Sequence, residues 1–549
     1  MSLHPHTIRP VPEMTALVAR AAFPKGSRLL RLRDEMGTIY DDARFAPLFP
    51  TRGKPAKAPW RLALVTVLQF AEKLTDRQAA DAVRGRIDVK YLLGLELTDE
   101  GFDFSILSEF RDRLIDGEAE QLLLDALLDR CKAMGLVKPR GKQRTDSTNV
   151  LAAVRALNRL EGVGETLRHA LNTLAVVVPD WLRAQVAPDW FDRYGARIEN
   201  ERLPEAQSER DTLAAAIGAD GLHLLGAVYG PTAPPWLCEI PAIRTLRPFW
   251  LQYFHAPDAA GIVHLRDPTD MPPHELTLES PYDIDARHHS KRTTSWTGYL
   301  VSLTETCDPD RPHLITHVAT VPGTTNDVEV TPVVHADLAA RALLPGAHFV
   351  DGGYMSAPHV VDATVTYGVD LIGPVPRDTS WQARAGAGFD LAQFNIDWEA
   401  RKVVCPQGKT SRYWGDDTSE QGNARHKIFF DTQDCRACPC RTQCTRSKTQ
   451  PCQIVLRPRE IHAALQAARA RETTPAFKKA YRVRRGVEGT MAQGVQACGM
   501  RRARYRSLRK LRLQHVATAV AISLQRLDDW WTETPRAKTR ISRFAALAA

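Results

Sequence analysis

The stretch "WTGYLVSLTETCDPDRPHLITHVATVPG", residues 296–323, indicates the fold class of this 549-residue chain. Apolar and polar residues alternate on both sides of the turn "DPDRP", which predicts two antiparallel strands joined as a hairpin. "VEVTPVVHADLAARALLPG" then predicts a helix that ends at Pro345–Gly346. "AHFVDGGYMSAPHVVDATVTYG" predicts a buried strand, a glycine turn and a helix, and "VDLIGPVP" predicts a further strand. Residues 296–376 are therefore expected to run β-β-α-β-α-β, which makes the fold class α/β.

Helical segments are expected on the amino-terminal side of this unit. Residues 60–135 carry apolar positions at three- and four-residue spacing, with Thr75 as the expected N-cap of one helix. Residues 155–225 predict further helices, whereas residues 230–285 are rich in proline and are expected to be irregular. The length of the chain suggests roughly three or four domains.

The composition is that of a soluble globular protein, with 44% hydrophobic and 25% charged residues. The first residues lack the apolar run of a secretory signal. No stretch approaches ~18 continuous apolar residues, so a transmembrane helix is not expected. A cytosolic location with access to DNA is the resulting expectation.

A strongly basic window surrounds one acidic residue, Glu488, in "YRVRRGVEGTMAQ" (residues 481–493). Twelve Lys or Arg residues and no acid other than Glu488 lie between Lys478 and Arg512, so the window's formal charge of +11 exceeds the +9 of the whole chain. Such a surface predicts a polyanionic partner. Glu488 either pairs with Arg484, one helical turn earlier, or binds metal beside a surface that holds phosphates.

Two aspartates extend this hypothesis: Asp146 in "RTDSTNV" and Asp351 in "HFVDGG". Both are expected at strand ends, and an acid followed by glycines at such an end points into the crevice where α/β sheets bind ligands. The alternative for each is a helix N-cap or a turn acid. Together with Glu488 they suggest a three-carboxylate site for a divalent metal, because Mg²⁺ prefers hard oxygen ligands.

Cysteines cluster late in the chain, where five of the ten lie within residues 435–452. In a large intracellular chain this favours metal binding over disulfides. The C-x₂-C spacing is typical of structural zinc. The expected zinc ligands are Cys405, Cys435, Cys438 and Cys444. Cys440 and Cys452 compete for these places, and reduced thiols without metal are the other alternative.

"RTDSTNV", "HFVDGGY" and "YRVRRGVEGTMAQ", in this order, resemble the motifs of the DDE transposases of bacterial insertion sequences. "LTDRQAADAVRGRIDVKYLLGLEL", "FDFSILSEFRDRL", "SKRTTSWTGYLVSLTET", "CPQGKTS" and "RYRSLRKLRLQHVATAVAISLQRL" are similar to the subgroup with a cysteine-rich insert before the glutamate. The resemblance covers about residues 50–530. It implies a ribonuclease-H-like core, a mixed sheet flanked by helices. It also implies a catalytic triad of Asp146, Asp351 and Glu488 that binds two Mg²⁺ or Mn²⁺ ions.

The chain is expected to divide into five parts along these lines. They are an amino-terminal helical, DNA-binding domain (1–140), the first part of the core (141–390) with a helical insertion at about 155–285, a zinc-binding cysteine-rich insertion (391–457), the carboxy-terminal part of the core with the Glu488 helix (458–535), and a basic tail (536–549).

The resemblance also implies DNA contacts in the basic window. Tyr481, Arg484 and Glu488 match the Tyr-x₂-Arg-x₃-Glu spacing of a related group, but Val495 stands where that group has a lysine. Arg501 or the arginine after it is expected to substitute. The complete set of expected DNA-binding residues is Lys291, Arg292, Tyr481, Arg484, Arg485, Arg501, Arg502 and Arg504.

The implied function is that of a transposase that binds the ends of its insertion element. It would cleave DNA by two-metal hydrolysis and transfer the 3′-hydroxyl ends to target DNA. The expected partners are double-stranded DNA and, on DNA, a second copy of the chain or more, with no membrane and a cytoplasmic, nucleoid-associated location. The alternatives are a non-catalytic, zinc-dependent DNA-binding protein derived from a transposase, and a stand-alone nuclease of the same fold. Three converging carboxylates argue against a pure binder.

Overall fold

The structure, a computed structural model, describes residues 2, 3, 5, 8–154, 157–199, 203–273, 275–291, 293–420, 422–535 and 547. Within these residues one mixed sheet has six strands. They are β1 (Lys142–Leu151), β2 (Arg287–Lys291), β3 (Thr294–Thr306), β4 (Ile315–Pro322), β5 (Ala347–Phe349) and β6 (Asp370–Ile372).

The long strand β3 organises this sheet. On one side it pairs antiparallel with β1, and on the other side antiparallel with β2 and then with β4. On the far side of β1, β5 and then β6 follow in parallel. In the order β4-β3-β1-β5-β6, β3 therefore runs opposite to the other four strands.

Helices precede, interrupt and follow the sheet. The amino-terminal helices are α1 (Glu13–Ala22), α2 (Arg28–Met36), α3 (Pro59–Glu72), α4 (Asp76–Gly85), α5 (Ile87–Leu93), α6 (Ser105–Asp116) and α7 (Leu122–Ala133). Between β1 and β2 lie α8 (Arg159–Val177), α9 (Pro179–Arg183), α10 (Asp189–Tyr194), α11 (Gln207–Val228) and α12 (Pro241–Tyr253). The strands β4, β5 and β6 are separated by α13 (Asp327–Ala340) and α14 (Ala357–Val365).

The last third of the chain adds small sheets and the final helices. A hairpin of β7 (Asn395–Asp397) and β8 (Lys402–Val404) precedes an antiparallel sheet of β9 (Tyr413–Thr418), β10 (Ala424–Phe429) and β11 (Gln453–Leu456). The helices are α15 (Trp381–Ala385), α16 (Thr432–Arg436), α17 (Arg441–Cys444), α18 (Arg459–Glu472), α19 (Pro475–Tyr481), α20 (Gly486–Cys498) and α21 (Leu508–Trp531). Short 3₁₀-helices occur at Asp42–Leu48, Pro235–Glu239, Pro268–Asp270, Gly352–Tyr354, Leu391–Gln393 and Arg482–Arg485.

One hydrophobic core joins the amino-terminal helices to the sheet. The helix α21 is central to it, because most of its residues are buried and it packs on α3, α7 and β4. Near its carboxy-terminal end Asp528 accepts two hydrogen bonds from Arg31 of α2, with Nε–Oδ1 at 2.7 Å and Nη2–Oδ2 at 3.0 Å. The predicted division into domains stays a prediction, and the packing ties the amino-terminal helices firmly to the sheet.

The helices between β1 and β2 have a hydrophobic core of their own. It is built around residues such as Phe249 and Trp250 of α12 and Ile217 of α11. A third, smaller core lies under the sheet of β9–β11, where Val403, Ile428 and Leu456 are buried.

The β-β-α-β-α-β prediction is confirmed by β3, β4, α13, β5, α14 and β6. The predicted cap at Thr75 is also confirmed, because its side chain accepts from Gln78 N while Gln78 accepts from Thr75 N. The predicted end of α13 is wrong by several residues. The helix stops at Ala340, since Ala342 adopts a left-handed φ of 52° that a helix cannot continue through.

Two other predictions are wrong. Residues 230–285 are not wholly irregular, because α12 forms there. Pro241 stands in its first turn, where a missing N–H costs nothing, and the buried face of Leu246, Phe249 and Trp250 holds the helix despite Pro248. Asp146 is not at a strand end but in the middle of β1, opposite Leu303.

No helix within the described residues is long and apolar enough to cross a membrane.

Candidate active site

The guanidinium group of Arg484 contacts three carboxylates that are far apart in the sequence. Its Nη2 lies 2.9 Å from Asp146 Oδ2 and 3.5 Å from Asp351 Oδ2, and its Nη1 lies 2.9 Å from Glu488 Oε1. The fold thus gathers the three acids that the sequence suggested as a group, and it places a cation among them. The alternative for Glu488, a salt bridge with Arg484, is also present in this arrangement.

Asp146 is the least exposed of the three acids, with 16% of its side chain accessible. Its Oδ1 accepts from the N–H of Ser147 at 2.9 Å. Burial raises the pKa of Asp146 to about 6, and the nearby carboxylates of Asp351 and Asp327 act in the same direction. The positive charge of Arg484 and the Ser147 N–H oppose this rise. A cation at this position therefore stabilises the ionised form of the carboxylate.

Asp351 follows β5 by two residues and begins the 3₁₀-helix Gly352–Tyr354. Its Oδ1 accepts from Gly353 N at 2.7 Å, so it is a capping acid as the alternative interpretation proposed. Its other oxygen is the one that faces Arg484. The cap fixes the carboxylate and leaves Oδ2 directed at Arg484, while the predicted metal-binding role of Asp351 stays a prediction.

Glu488 lies on α20, and the segment before it is not one continuous helix. The helix α19 ends at Tyr481, the 3₁₀-helix Arg482–Arg485 follows, and α20 begins at Gly486. The tighter turn still brings Arg484 and Glu488 together. Glu488 is 62% exposed, whereas Arg484 is 14% exposed. The site is therefore closed on the side of Asp146 and open on the side of Glu488.

Tyr481 anchors this segment to the sheet. Its hydroxyl donates to the Val350 carbonyl oxygen at 3.0 Å, and its ring stacks on Phe477 at 5.4 Å between centroids. Val350 is the residue before Asp351. The predicted role of Tyr481 in DNA binding stays a prediction, while its contacts give it a role in positioning the segment.

A buried ion cluster lies beneath the site. Glu305 of β3 is fully buried, accepts from Arg144 Nε at 2.6 Å and from Thr490 Oγ1 at 2.7 Å, and pairs with Arg526 of α21. Although burial alone would raise the pKa of Glu305, the guanidinium groups of Arg526 and Arg144 hold it below the usual value. The cluster therefore joins β1, β3, α20 and α21.

Arg144 extends the cluster to the segment that carries Arg484. Its Nη1 donates to the Val483 carbonyl oxygen at 2.5 Å. Arg144 and Asp146 are two residues apart on β1 and so point to the same face of the sheet. One side chain thus fixes the distance between the strand of Asp146 and the 3₁₀-helix of Arg484.

The sequence interpretation missed a fourth acid, Asp327, at the start of α13. It accepts from Ser147 Oγ at 2.8 Å and forms an ion pair with Lys291 Nζ at 3.3 Å. A Cβ on Gly353 would stand 3.0 Å from Asp351 Oδ1 and 3.2 Å from Asp327 Oδ2, so both acids border the same glycine. The capping box of Asn326 and Glu329 places Asp327 at a helix N-terminus. This local pattern is the feature of the sequence from which its position could have been predicted.

The remaining expected DNA contacts have varied surroundings. Arg485 is exposed, and Arg501 is exposed with its Nε donating to Thr148 Oγ1 of β1 at 2.7 Å. The exposed Arg504 donates to the Leu74 carbonyl oxygen at 3.0 Å and lies over the Phe70 ring. Arg502 is exposed and next to Arg501, and Val495 packs against the main core. Arg292 lies outside the described residues.

Five cysteines line one cavity beside the β9–β11 sheet: the four predicted zinc ligands and, in addition, Cys452. They are Cys405, Cys435, Cys438, Cys444 and Cys452. Cys440 is not among the lining residues. A hydrogen bond with Cys444 and burial raise the pKa of the Cys452 thiol.

As the side chains are placed in the described part of the chain, no three His, Cys, Asp or Glu residues are arranged to hold a metal ion. This applies to the cysteine cavity and to the acids around Arg484 alike. The three acids around Arg484 instead all contact its guanidinium group.

Two protein families match the chain. A transposase domain (DUF772) matches residues 18–113, which hold the helices from the middle of α1 to α6, and a transposase DDE domain matches residues 404–528. The second range includes Glu488, while Asp146 and Asp351 lie outside both. Neither the search of curated proteins nor that of solved structures returned a match.

The two matches indicate a DDE transposase of an insertion sequence, as the sequence motifs suggested. They support transposase function in general, and the DDE family implies a DNA substrate and a dependence on divalent metal. The cysteine-rich subgroup is not confirmed.

Gly486 offers a test of the link between the buried cluster and the site. A Cβ at this position would overlap the Arg144 guanidinium, which Glu305 and the Val483 carbonyl hold in place, whereas a Cβ on Gly489 meets nothing within 4 Å. We expect Gly486→Ala to destabilise the protein by ~1–3 kcal/mol through overpacking. Gly489→Ala, three residues along the same helix, should be neutral or stabilising by up to ~1 kcal/mol.

The measurement is the melting temperature of the two variants and of the wild type under the same conditions. Equal melting temperatures for both variants would mean that Arg144 is not fixed against α20 as described.

Proposed function

We propose that this chain is a transposase that cleaves the ends of its insertion element and joins the freed 3′-hydroxyls to target DNA. In this proposal Asp146, Asp351 and Glu488 are the catalytic acids. The observation that carries it is the convergence of these acids, from β1, the end of β5 and α20, on the single side chain of Arg484.

The sheet supports this proposal. We infer a ribonuclease-H-like core from the order β4-β3-β1-β5-β6, in which only β3 runs against the others. Asp146 on the central strand β1 and Asp351 after the adjacent parallel strand β5 then stand side by side, where open α/β sheets bind ligands. The helices between β1 and β2, with their own core, would be an insertion into that fold.

The donor chemistry of the three acids fits Mg²⁺ or Mn²⁺, because hard divalent cations prefer carboxylate oxygens. The same oxygens already hold a cation, the guanidinium of Arg484. Divalent metal bound by these carboxylates would activate a water or a 3′-hydroxyl and stabilise the leaving oxygen of the phosphodiester. The proposal needs no covalent protein–DNA bond.

The basic residues around the open side of the site would hold the DNA backbone. Glu488 is exposed on that side. Arg485, three residues before Glu488, is also exposed. Arg501 is exposed as well and donates to Thr148 of β1, two residues from Asp146. Lys291, 61% exposed and paired with Asp327, stands on the β2–β3 side of the cluster. Contacts of this kind fix the register of DNA without reading its sequence. We further propose that the chain acts as a dimer or larger assembly on DNA in the bacterial cytoplasm.

Substitution of the acids tests the catalytic proposal. Asp146→Asn, Asp351→Asn and Glu488→Gln should each abolish cleavage of DNA that contains an element end, because each removes a charge needed to bind metal. Binding of the same DNA should persist. Glu399→Gln is the matched control, since Glu399 is an exposed glutamate that pairs with an arginine, Arg459, at 2.6 Å. It should cleave within a few-fold of the wild type.

The assay measures nicking, strand transfer and DNA binding on one labelled fragment. Near-normal cleavage by Glu488→Gln would remove that residue from the triad. Normal binding without any cleavage by the wild type in Mg²⁺ or Mn²⁺ would favour the non-catalytic alternative, and cleavage without joining would favour the nuclease.

We also propose a structural zinc ion in the cysteine cavity. The support is that Cys405, Cys435, Cys438, Cys444 and Cys452 line one cavity, and thiolates are the preferred ligands of structural zinc. Four of them would bind the ion after small side-chain rotations. This set keeps the four predicted ligands and adds Cys452 as a competitor, in preference to Cys440.

A pair of serine substitutions tests the zinc proposal. Cys435→Ser should release zinc and make residues 391–457 sensitive to protease, because structural zinc contributes ~10 kcal/mol or more to small peptide sites. Cys440→Ser, a cysteine of the same segment outside the cavity, should retain zinc. Metal analysis of freshly purified, reduced protein gives the zinc content per chain. A wild-type chain without zinc would contradict the proposal.

A further inference from the structure

Arg484 has an unusual set of partners for an arginine inside a protein. Its two terminal nitrogens contact three carboxylates, while its Nε is buried and has no hydrogen-bond partner within the described residues. The three acids carry more negative charge than one guanidinium can neutralise. Among the described residues the acids are therefore the polar partners that orient the guanidinium, and the group of three carboxylates and one guanidinium retains a net negative charge that can attract a second cation.

We propose that Arg484 and divalent metal compete for the same carboxylate oxygens, so that Arg484 regulates metal binding at this site. This inference rests on the proposed function of Asp146, Asp351 and Glu488. The oxygens 2.9 Å from the guanidinium, Asp146 Oδ2 and Glu488 Oε1, belong to groups that would have to bind the metal. Two cations a few Å apart repel strongly in a partly buried site.

The released guanidinium has a second anion within reach of its chain segment. Arg484 lies in the window of twelve Lys or Arg residues from 478 to 512, which is suited to DNA phosphate. Glu488 is the most exposed of its three partners, so the side chain can leave the cluster on the open side. Arg484 would then exchange carboxylates for a phosphate when metal and DNA are both bound.

Such an exchange couples the two ligands. DNA that draws Arg484 away from the acids should raise the affinity for metal, and metal should raise the affinity for DNA by the same factor. Without DNA, the positive charge of Arg484 reduces the repulsion between the three carboxylates and lowers their affinity for metal. The site would then bind metal tightly only when substrate is present.

The test is Mn²⁺ binding to the full-length protein without DNA, measured by the electron paramagnetic resonance signal of free Mn²⁺. Arg484→Gln should bind Mn²⁺ at least about tenfold more tightly than the wild type, because a charge within a few Å of the ion is removed. Arg485→Gln is the matched control. It removes the same charge from the adjacent, exposed residue, which makes no ion pair with the three acids among the described residues, and it should change the affinity less than about twofold.

Two further variants distinguish the possible failures. Asp351→Asn should weaken Mn²⁺ binding, and Arg484→Lys, which keeps the charge but not the fork, should bind Mn²⁺ less tightly than Arg484→Gln. If Asp351→Asn weakens binding but the two glutamine variants have equal affinity, the competition is wrong and the catalytic proposal stands. If Asp351→Asn leaves the affinity for Mn²⁺ unchanged, both the catalytic proposal and the proposed competition are wrong.

Discussion

The carboxylate of Glu305, on strand β3, is fully buried, and the guanidinium groups of Arg144 and Arg526 neutralise its charge. Breaking such a buried pair by removing one partner typically costs ~3–5 kcal/mol, because the other charge remains uncompensated. Each partner belongs to a different element, so β1, β3 and α21 cannot shift independently. Thr490 brings α20 into the same cluster.

The candidate active site depends on this cluster for its geometry. Arg144 and Asp146 share a face of β1, and the Val483 carbonyl that Arg144 holds precedes Arg484 directly. The Tyr481 hydroxyl adds a second tie, to the residue before Asp351. Three chain segments that are distant in the sequence are thus connected by two hydrogen bonds to backbone carbonyls, one from Arg144 of the buried cluster and one from Tyr481. This explains how acids on separate elements can share one guanidinium.

The parts of this arrangement that the sequence predicted are those with a local signal. The alternation in residues 296–323 predicted β3 and β4, and the lone acid in a basic window selected Glu488. The motif order selected Asp146 and Asp351, although Asp146 proved to lie within a strand. That error arose because strand ends depend on pairing with β3, which no local pattern reports.

Other features of the site depend on contacts between distant residues and left no such signal. Asp327 joins the acids only because α13 packs against β4 and the 3₁₀-helix Gly352–Tyr354, and the members of the cluster of Arg144, Glu305 and Arg526 are far apart in the sequence. The position of Arg484 between three acids could likewise not be predicted, because the spacing in the sequence indicated only its pairing with Glu488. Cys452 was distinguishable from Cys440 only once the cavity was formed.

The central claim is that Asp146, Asp351 and Glu488 together form the divalent-metal site. Iron-directed cleavage of the protein itself tests this most directly. Fe²⁺ replaces Mg²⁺ at carboxylate sites, and with ascorbate and hydrogen peroxide it generates hydroxyl radicals that cut the nearby backbone. With element-end DNA bound, we expect cuts near residues 146, 351 and 484–488, all suppressed by excess Mg²⁺. Cuts confined to other parts of the chain, or unaffected by Mg²⁺, would contradict the account.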